Sequence, residues 1–292
     1  MLFGTISCSD HLHLAINMAK SAKKHHPNSR IVLCLVEKSI HPILWSQNIF
    51  DKIVLVEELN IPEWNNLIKK YNRYETAISV RGHFFEYLLN TFPNEKKYIY
   101  LDPDTKVYSP FTEVDSILDN FNLVLTPHIL TPAPKNKISE FELLLFHYGV
   151  YNLGFFAFTN SEESFEYIEF LKVRLTNYCY VDMKKGLYAD QKWIDAVPCF
   201  FNTYILKHPG YNVAIWNFPE RLFSMNNNGQ ILVNEEPLRF IHFSGLIKDG
   251  LAEYFNRFGS SKPIIVALQN EYLTEIENLG KVDVEKIPWS FK

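Results

Sequence analysis

Three short and almost uninterrupted apolar runs, at 31–36, 53–56 and 98–101, are the strongest constraint on how this chain can fold. A strand that is apolar at nearly every position has to be covered on both faces, as happens in a parallel sheet sandwiched between helices. Helical patterns separate the runs. After a first strand at 2–7, Leu12, Ala15, Ile16 and Ala19 share one face, and Asp10 stands where an N-cap is expected. His25-His26-Pro27-Asn28 makes the turn that follows. Shorter helical patterns cover 42–47 and 62–71, and a longer one covers 76–89. The alternation predicts an α/β fold, a mostly parallel open sheet with helices on both sides. Further strands are expected at 122–125, 213–216 and 239–243, and helices at 161–175 and 263–279. With 292 residues and no linker, repeat or low-complexity tract, the expectation is one domain over 1–250 and a helical extension over 251–292 packed on it.

Net charge is −4 with a pI near 6.2, so no basic field announces nucleic acid. The four cysteines, Cys8, Cys34, Cys179 and Cys199, form no Cys-x-x-Cys pair and read as reduced, mostly buried thiols. The first residues lack a basic and then apolar leader pattern, and no apolar run is long enough to span a bilayer. A cytoplasmic protein is therefore expected, with peripheral contact at the inner face of the cell membrane left open.

In open α/β sheets, ligands bind at the carboxyl ends of the strands. The fourth apolar strand delivers Asp102-Pro103-Asp104 to that edge. In extended backbone, residues i and i+2 point the same way, so the two carboxylates can close on one hard cation, and Pro103 stiffens the link between them. Asp-Pro-Asp-Thr is equally a β-turn sequence. Other candidates are scattered along the chain. Arg81, in the 76–89 helical pattern, is either a solvated or salt-bridged cation or a phosphate fork. The Pro-rich stretch 126–137 is either a lid or acceptor loop or a plain connection. Asn152 and Gly154 precede an apolar strand, where Gly154 would admit a close approach of backbone to a ligand. Asp190 with Gln191 opens a short helix, with Asp190 also readable as an N-cap, and His242 ends a strand.

Four motifs stand in order: Leu101-Asp102-Pro103-Asp104, Asn152-Leu153-Gly154, Asp190-Gln191, and His242-Phe243-Ser244-Gly245 followed by Lys248. Together they resemble the GT-A nucleotide-sugar glycosyltransferases. Their order and the His-to-Lys spacing are similar to those of the family-8 retaining enzymes and to transferases of bacterial surface-polysaccharide clusters. The resemblance implies a Rossmann-like GT-A fold and transfer of a hexose from a nucleotide sugar, a UDP-sugar, to a glycan or lipid-linked hydroxyl acceptor, with retention. It implies that Asp102, Asp104 and His242 hold Mn²⁺ or Mg²⁺, that Lys248 and Arg81 face the donor diphosphate, and that Asn152, Asp190 and Gln191 face the sugar. Thr5, Ile6, Ser7 and His11 would hold the base and ribose. The chain departs from the family-8 pattern at Leu153, at Lys192 and at Asp249-Gly250, and its first turn lacks that pattern's acidic residue and tyrosine.

Two other readings compete. A haloacid-dehalogenase-type phosphatase also uses Asp-x-Asp, but on its first strand and with Thr or Val where Lys106 stands here. A non-catalytic nucleotide-sugar-binding module would keep the fold and lose the reaction.

Overall fold

The computed structural model describes residues 1–246 and 262–291. Nine strands matter for the site: β1 (Leu2–Ser7), β2 (Arg30–Leu35), β3 (Lys52–Leu55), β4 (Lys97–Leu101), β5 (Thr105–Val107), β6 (Leu123–Leu125), β7 (Phe155–Thr159), β8 (Thr203–Ile205) and β9 (Phe240–His242). Seven of them form one sheet in the spatial order β8-β6-β7-β4-β1-β2-β3, and β5 pairs separately with β9. The pairs β1–β2, β1–β4, β2–β3 and β6–β8 are parallel. β7 runs antiparallel to both its neighbours. That reversal has a consequence: β6 leaves the sheet and β7 re-enters it at the same edge, so the whole excursion between them stays beside the end of β4.

Side-chain alternation sorts the apolar residues into two layers. Phe3, Ile99, Leu101, Phe155 and Ala157 face Met18, Ala19, Phe111 and Phe240 on one side. Leu2, Tyr98, Tyr100, Phe156 and Phe158 face Phe84, Phe85 and Tyr167 on the other. Much of the aromatic content is spent here, as stacked pairs such as Tyr98–Phe158 (centroids 5.1 Å apart) and Phe156–Tyr167 (4.8 Å). Cys8, Cys34 and Cys179 are buried thiols, and Cys199 is exposed.

Several local expectations change. Helix α1 (Leu12–His25) begins without a side-chain cap, and Asp10 turns elsewhere. The single helix expected at 76–89 is two, α2 (Arg73–Ser79) and α3 (Arg81–Thr91), joined at Val80. α2 has its own capping box, Asn72 with Glu75, which fixes an earlier start than the apolar pattern shows. The Pro-rich loop after β6 continues into helix α4 (Ile138–Tyr148). Ser161 does cap helix α5 (Glu162–Tyr178), accepting from the Ser164 N–H. The 213–216 stretch is no strand, and it makes one isolated bridge, Val213 to Ile241. Beyond α6 (Gln191–Ile194), helix α7 (Lys262–Asn278) packs against the β5–β9 pair. Tyr272 stacks on Phe243 with ring centroids 3.8 Å apart, and Glu271 and Glu275 pair with the buried Lys106 at 2.8 and 2.7 Å. Among the described residues, no helix is long and apolar enough to cross a membrane.

His13, His26, His83 and His128 are each held down to about 4, chiefly by loss of solvation. In the unfolded chain each would titrate near its ordinary value of about 6.5. Between those values the unfolded state binds more protons, so stability is full above about pH 6.5 and falls as the pH drops toward 4. Urea unfolding midpoints at pH 7.5, 6 and 5 are expected to decline in that order. A midpoint unchanged down to pH 5 would contradict the burial of these rings.

Candidate functional site

The backbone after β4 makes the turn that its sequence suggested. Thr105 N–H and Oγ1 donate to the Asp102 carbonyl at 3.2 and 2.8 Å, which is a tight turn, and Asp102 N–H donates to the Gly154 carbonyl at 2.9 Å. The turn feeds β5, whose pairing sets His242 opposite Thr105, and the Phe243 N–H donates to the Asp104 carbonyl at 2.8 Å. Three ligand atoms, one each from Asp102, Asp104 and His242, therefore lie within 4.8 Å of one another. His242 Nε2 is 3.0 Å from Asp104 Oδ1 and 3.9 Å from Asp102 Oδ2.

Adjacent ligands of a six-coordinate Mg²⁺-sized ion are about 3 Å apart for bonds of about 2.1 Å, so this spacing is close to what such an ion needs. Two carboxylates and an imidazole suit Mn²⁺ or Mg²⁺. Loss of solvation works to raise both carboxyls. For Asp102 it prevails over the charges of Arg81 and His242, whereas for Asp104 the charge and hydrogen bond of His242 win and hold it low. Burial would lower His242, but Asp104 and Asp102 raise it.

Arg81 opens α3 with its side chain in the protein. Gly82 makes this possible: a Cβ there would meet the Lys172 backbone N at 3.0 Å and Cγ at 2.9 Å, so only glycine lets α3 lie this close to α5. One guanidinium nitrogen, Nη1, donates to Asp190 Oδ2. The other, Nη2, donates to Tyr100 Oη and Asp102 Oδ1, both at 3.0 Å. Tyr100 Oη donates in turn to Asp102 Oδ1 at 2.7 Å. Asp190 thus pairs with Arg81 and caps nothing. Burial raises its carboxyl to about 6 against the opposing pull of Arg81.

Asn152 sits between this acidic centre and α6. Its Oδ1 accepts from Gly154 N–H at 2.9 Å and Asn212 Nδ2 at 3.0 Å and faces His242 Nδ1 at 3.2 Å. Its Nδ2 faces Gln191 Oε1 at 3.2 Å and His128 Nε2 at 3.3 Å. Gln191 Nε2 donates to the Tyr148 carbonyl at 2.7 Å, and Val150 N–H donates to Asp195 Oδ1 at 2.7 Å, which pins the return of the β6–β7 excursion. Gly154 does admit a close approach, and the group that approaches is the His242 ring. A Cβ on Gly154 would lie 2.2 Å from its Cε1 and 2.3 Å from its Nδ1.

These groups share a cavity of about 640 Å³. Ile6, Ser7, His11, Arg81, Asp102, Asp104, Asn152, Asp190, Gln191 and His242 all line it. Thr5 does not: it is fully buried in β1, outside the cavity wall. Lys248 lies outside the described residues. Asp10, expected as a cap, lines the cavity, 2.6 Å from His11 Nδ1 and 2.8 Å from Arg73 Nη2. Its hydrogen bond is the main cause of a raised His11. The sequence reading missed Arg73, His128, Trp216 and the α4 side chains Phe141, Leu144 and Leu145, which also line the wall. Only the turn composition around Pro209, Gly210 and Asn212 could have flagged the loop that carries Trp216.

No family model matches the chain. It is 25% identical over 245 residues to the Bacillus subtilis (strain 168) protein YfnF, described as uncharacterized, covering 82% of this chain and 80% of YfnF. Its structure superposes on that of the galactosyltransferase LgtC, solved with donor and acceptor sugar analogs. The TM-score is 0.55 at 14% identity, over 99% of this chain and 98% of LgtC. The chain has the GT-A glycosyltransferase fold. The same GT-A architecture relates it to the glycosyltransferase GlyE of Streptococcus pneumoniae TIGR4, with a TM-score of 0.50 and 15% identity over 98% of this chain and 65% of GlyE. In this GT-A sheet, the Asp102, Asp104 and His242 cluster occupies the carboxyl edge of β4, where α/β sheets bind ligands.

Proposed function

We propose that this chain is a metal-dependent glycosyltransferase that moves a hexose from a UDP-sugar to a hydroxyl of a glycan or lipid-linked acceptor. The proposed setting is bacterial surface-polysaccharide synthesis, on the cytoplasmic side of the cell membrane, with retention of anomeric configuration. One observation carries the reading: a two-carboxylate, one-imidazole cluster in the wall of a 640 Å³ cavity, on a GT-A fold shared with LgtC. LgtC was solved with donor and acceptor sugar analogs, and the cavity is of a size that takes such ligands.

A cation held by Asp102, Asp104 and His242 would neutralise charge on the departing diphosphate. The protein's own contribution is arrangement. Arg81 opposes the burial that raises Asp102 and Asp190 and holds both carboxylates in place. Asp190 and Gln191 stand on the sugar side, where negative charge and an amide oxygen favour an oxocarbenium-like centre. Ile6, Ser7 and His11 are the lining residues assigned to the nucleoside, and α4 adds the apolar side chains of Phe141, Leu144 and Leu145 to the wall.

A screen of nucleotide sugars is expected to find slow Mn²⁺-dependent hydrolysis of one UDP-sugar, reduced about 100-fold or more in Asp104→Ala. Equal rates in EDTA, or in the variant, would remove the metal from the reaction. Release of phosphate from small phosphoesters, with no nucleotide sugar consumed, would favour the phosphatase reading.

A further inference from the structure

The asparagines behind His242 carry a further inference, which rests on the metal-dependent reading above and assigns residues within it. Amide orientation is fixed here by backbone groups. Gly154 N–H can only donate, and it lies 2.9 Å from one terminal atom of Asn152, which must be Oδ1. The Asn152 carbonyl can only accept, and it lies 3.3 Å from the Nδ2 of Asn212, which also reaches Thr126 Oγ1 at 2.9 Å and Asn152 Oδ1 at 3.0 Å. Asn212 is buried in the left-handed region at φ 49°. Asn217 locks it there by donating from Nδ2 to the Asn212 carbonyl at 3.0 Å while accepting from Ala214 N–H at 2.9 Å.

With its oxygen so identified, Asn152 can meet His242 Nδ1, 3.2 Å away, only by accepting from it. Nδ1 therefore carries a hydrogen, and Nε2 is the nitrogen turned toward Asp104 and Asp102. The other end of the same amide is a donor, so Gln191 Oε1 and His128 Nε2 must both be acceptors. Both polar atoms of Asn152 are committed inside the protein, although the family resemblance placed this residue on the donor sugar.

We infer that Asn152 and Asn212 are positioning residues that assign His242 Nε2 to the divalent cation and tie that ligand to Gln191. Asn152 acts on the metal site, and Asn212 acts through Asn152. The role is that of the carboxylate or carbonyl that commonly holds the second nitrogen of a metal-bound histidine.

The test measures Mn²⁺ affinity by electron paramagnetic resonance with UDP present. It also reads which imidazole nitrogen is protonated, from long-range ¹H–¹⁵N spectra of the Mg²⁺- and UDP-loaded protein. Asn152→Ala and Asn212→Gly are expected to bind Mn²⁺ about 10- to 100-fold more weakly. Asn212→Gly retains the left-handed backbone without strain, so it supplies a folded variant if Asn152→Ala unfolds. Asn152→Asp keeps an oxygen for His242 Nδ1 and is expected to stay within a few-fold of wild type in Mn²⁺ affinity while losing the donor to Gln191. Wild-type His242 is expected to be protonated at Nδ1. Unchanged affinity in Asn152→Ala and Asn212→Gly, loss in Asn152→Asp equal to that in Asn152→Ala, or an unprotonated Nδ1 would each overturn the assignment. A wild type that binds Mn²⁺ yet cleaves no nucleotide sugar would remove glycosyl transfer and leave the positioning role standing. Unchanged Mn²⁺ affinity in the variants of an active enzyme would do the opposite.

Discussion

Gly154→Ala is expected to destroy the proposed cation site with a single methyl group. The new Cβ would stand 2.2 Å from His242 Cε1, 2.3 Å from Nδ1 and 2.9 Å from Asn152 Oδ1, so the imidazole has to leave. It has nowhere near to go. His242 is buried, Trp216 lies edge-on to it with centroids 5.3 Å apart, and its backbone N–H is fixed to the Val213 carbonyl at 2.8 Å. Overpacking of this kind costs about 1–3 kcal/mol of stability, which a protein of this size survives. Loss of a ligand and of its supporting bond is expected to weaken Mn²⁺ binding by about 100-fold or more. Mn²⁺ titration beside a thermal melt separates the two effects. An alanine variant that binds Mn²⁺ like wild type would show that the ring does not rest on Gly154.

Arg81→Ala is expected to be the most damaging change to stability around the cavity. Asp190 and Asp102 would be left facing each other without the guanidinium that joins them. Breaking a buried ion pair by removing one partner costs about 3–5 kcal/mol. For a chain of this length that corresponds to a melting temperature lower by on the order of 10 °C. Arg81→Lys should lie between, since an ammonium keeps the charge and loses the fork that reaches both carboxylates. The deficit should also depend on pH. Burial already raises Asp190 to about 6 with Arg81 opposing it, so without Arg81 the carboxyl rises further. An acid whose folded value is raised contributes stability at low pH and loses it as pH rises through that value. Urea unfolding of Arg81→Ala against wild type should therefore show a larger gap at pH 8 than at pH 5.5. Equal gaps would mean that Asp190 is not the group left unpaired.

What could be read from the sequence followed from how local each signal was. Apolar runs gave β1 to β4, and strand polarity then put Asp102 and Asp104 at the ligand edge, because period and direction are properties of short segments. Gly154 was legible as a place of close approach, but the approaching group, His242, comes from a strand 88 residues later and no local pattern names it. Arg81 was legible as a cation of two possible uses. Its partner Asp190 is 109 residues away, and burial of the pair depends on Gly82 packing against α5. Helix α4 escaped because its apolar residues do not keep to one stripe: Phe141, Leu144 and Leu145 line the cavity while Leu143 and Phe146 face outward. Asn212 and Trp216 lie on an aperiodic loop, where composition signals a turn and says nothing about what the turn will hold.

The stacking of Tyr272 on Phe243, with Glu271 and Glu275 on Lys106, has a bearing on biosynthesis. A chain emerging from the ribosome at roughly 5–20 residues per second can close β1, β2, β3 and β4 early, and it then carries Asp102 and Asp104 at an open sheet edge. His242 arrives many seconds later, and the helix that braces its strand later still. During that interval the nascent protein holds two neighbouring carboxylates with neither the imidazole nor its clamp. The three-residue cluster is therefore completed only when β9 pairs with β5.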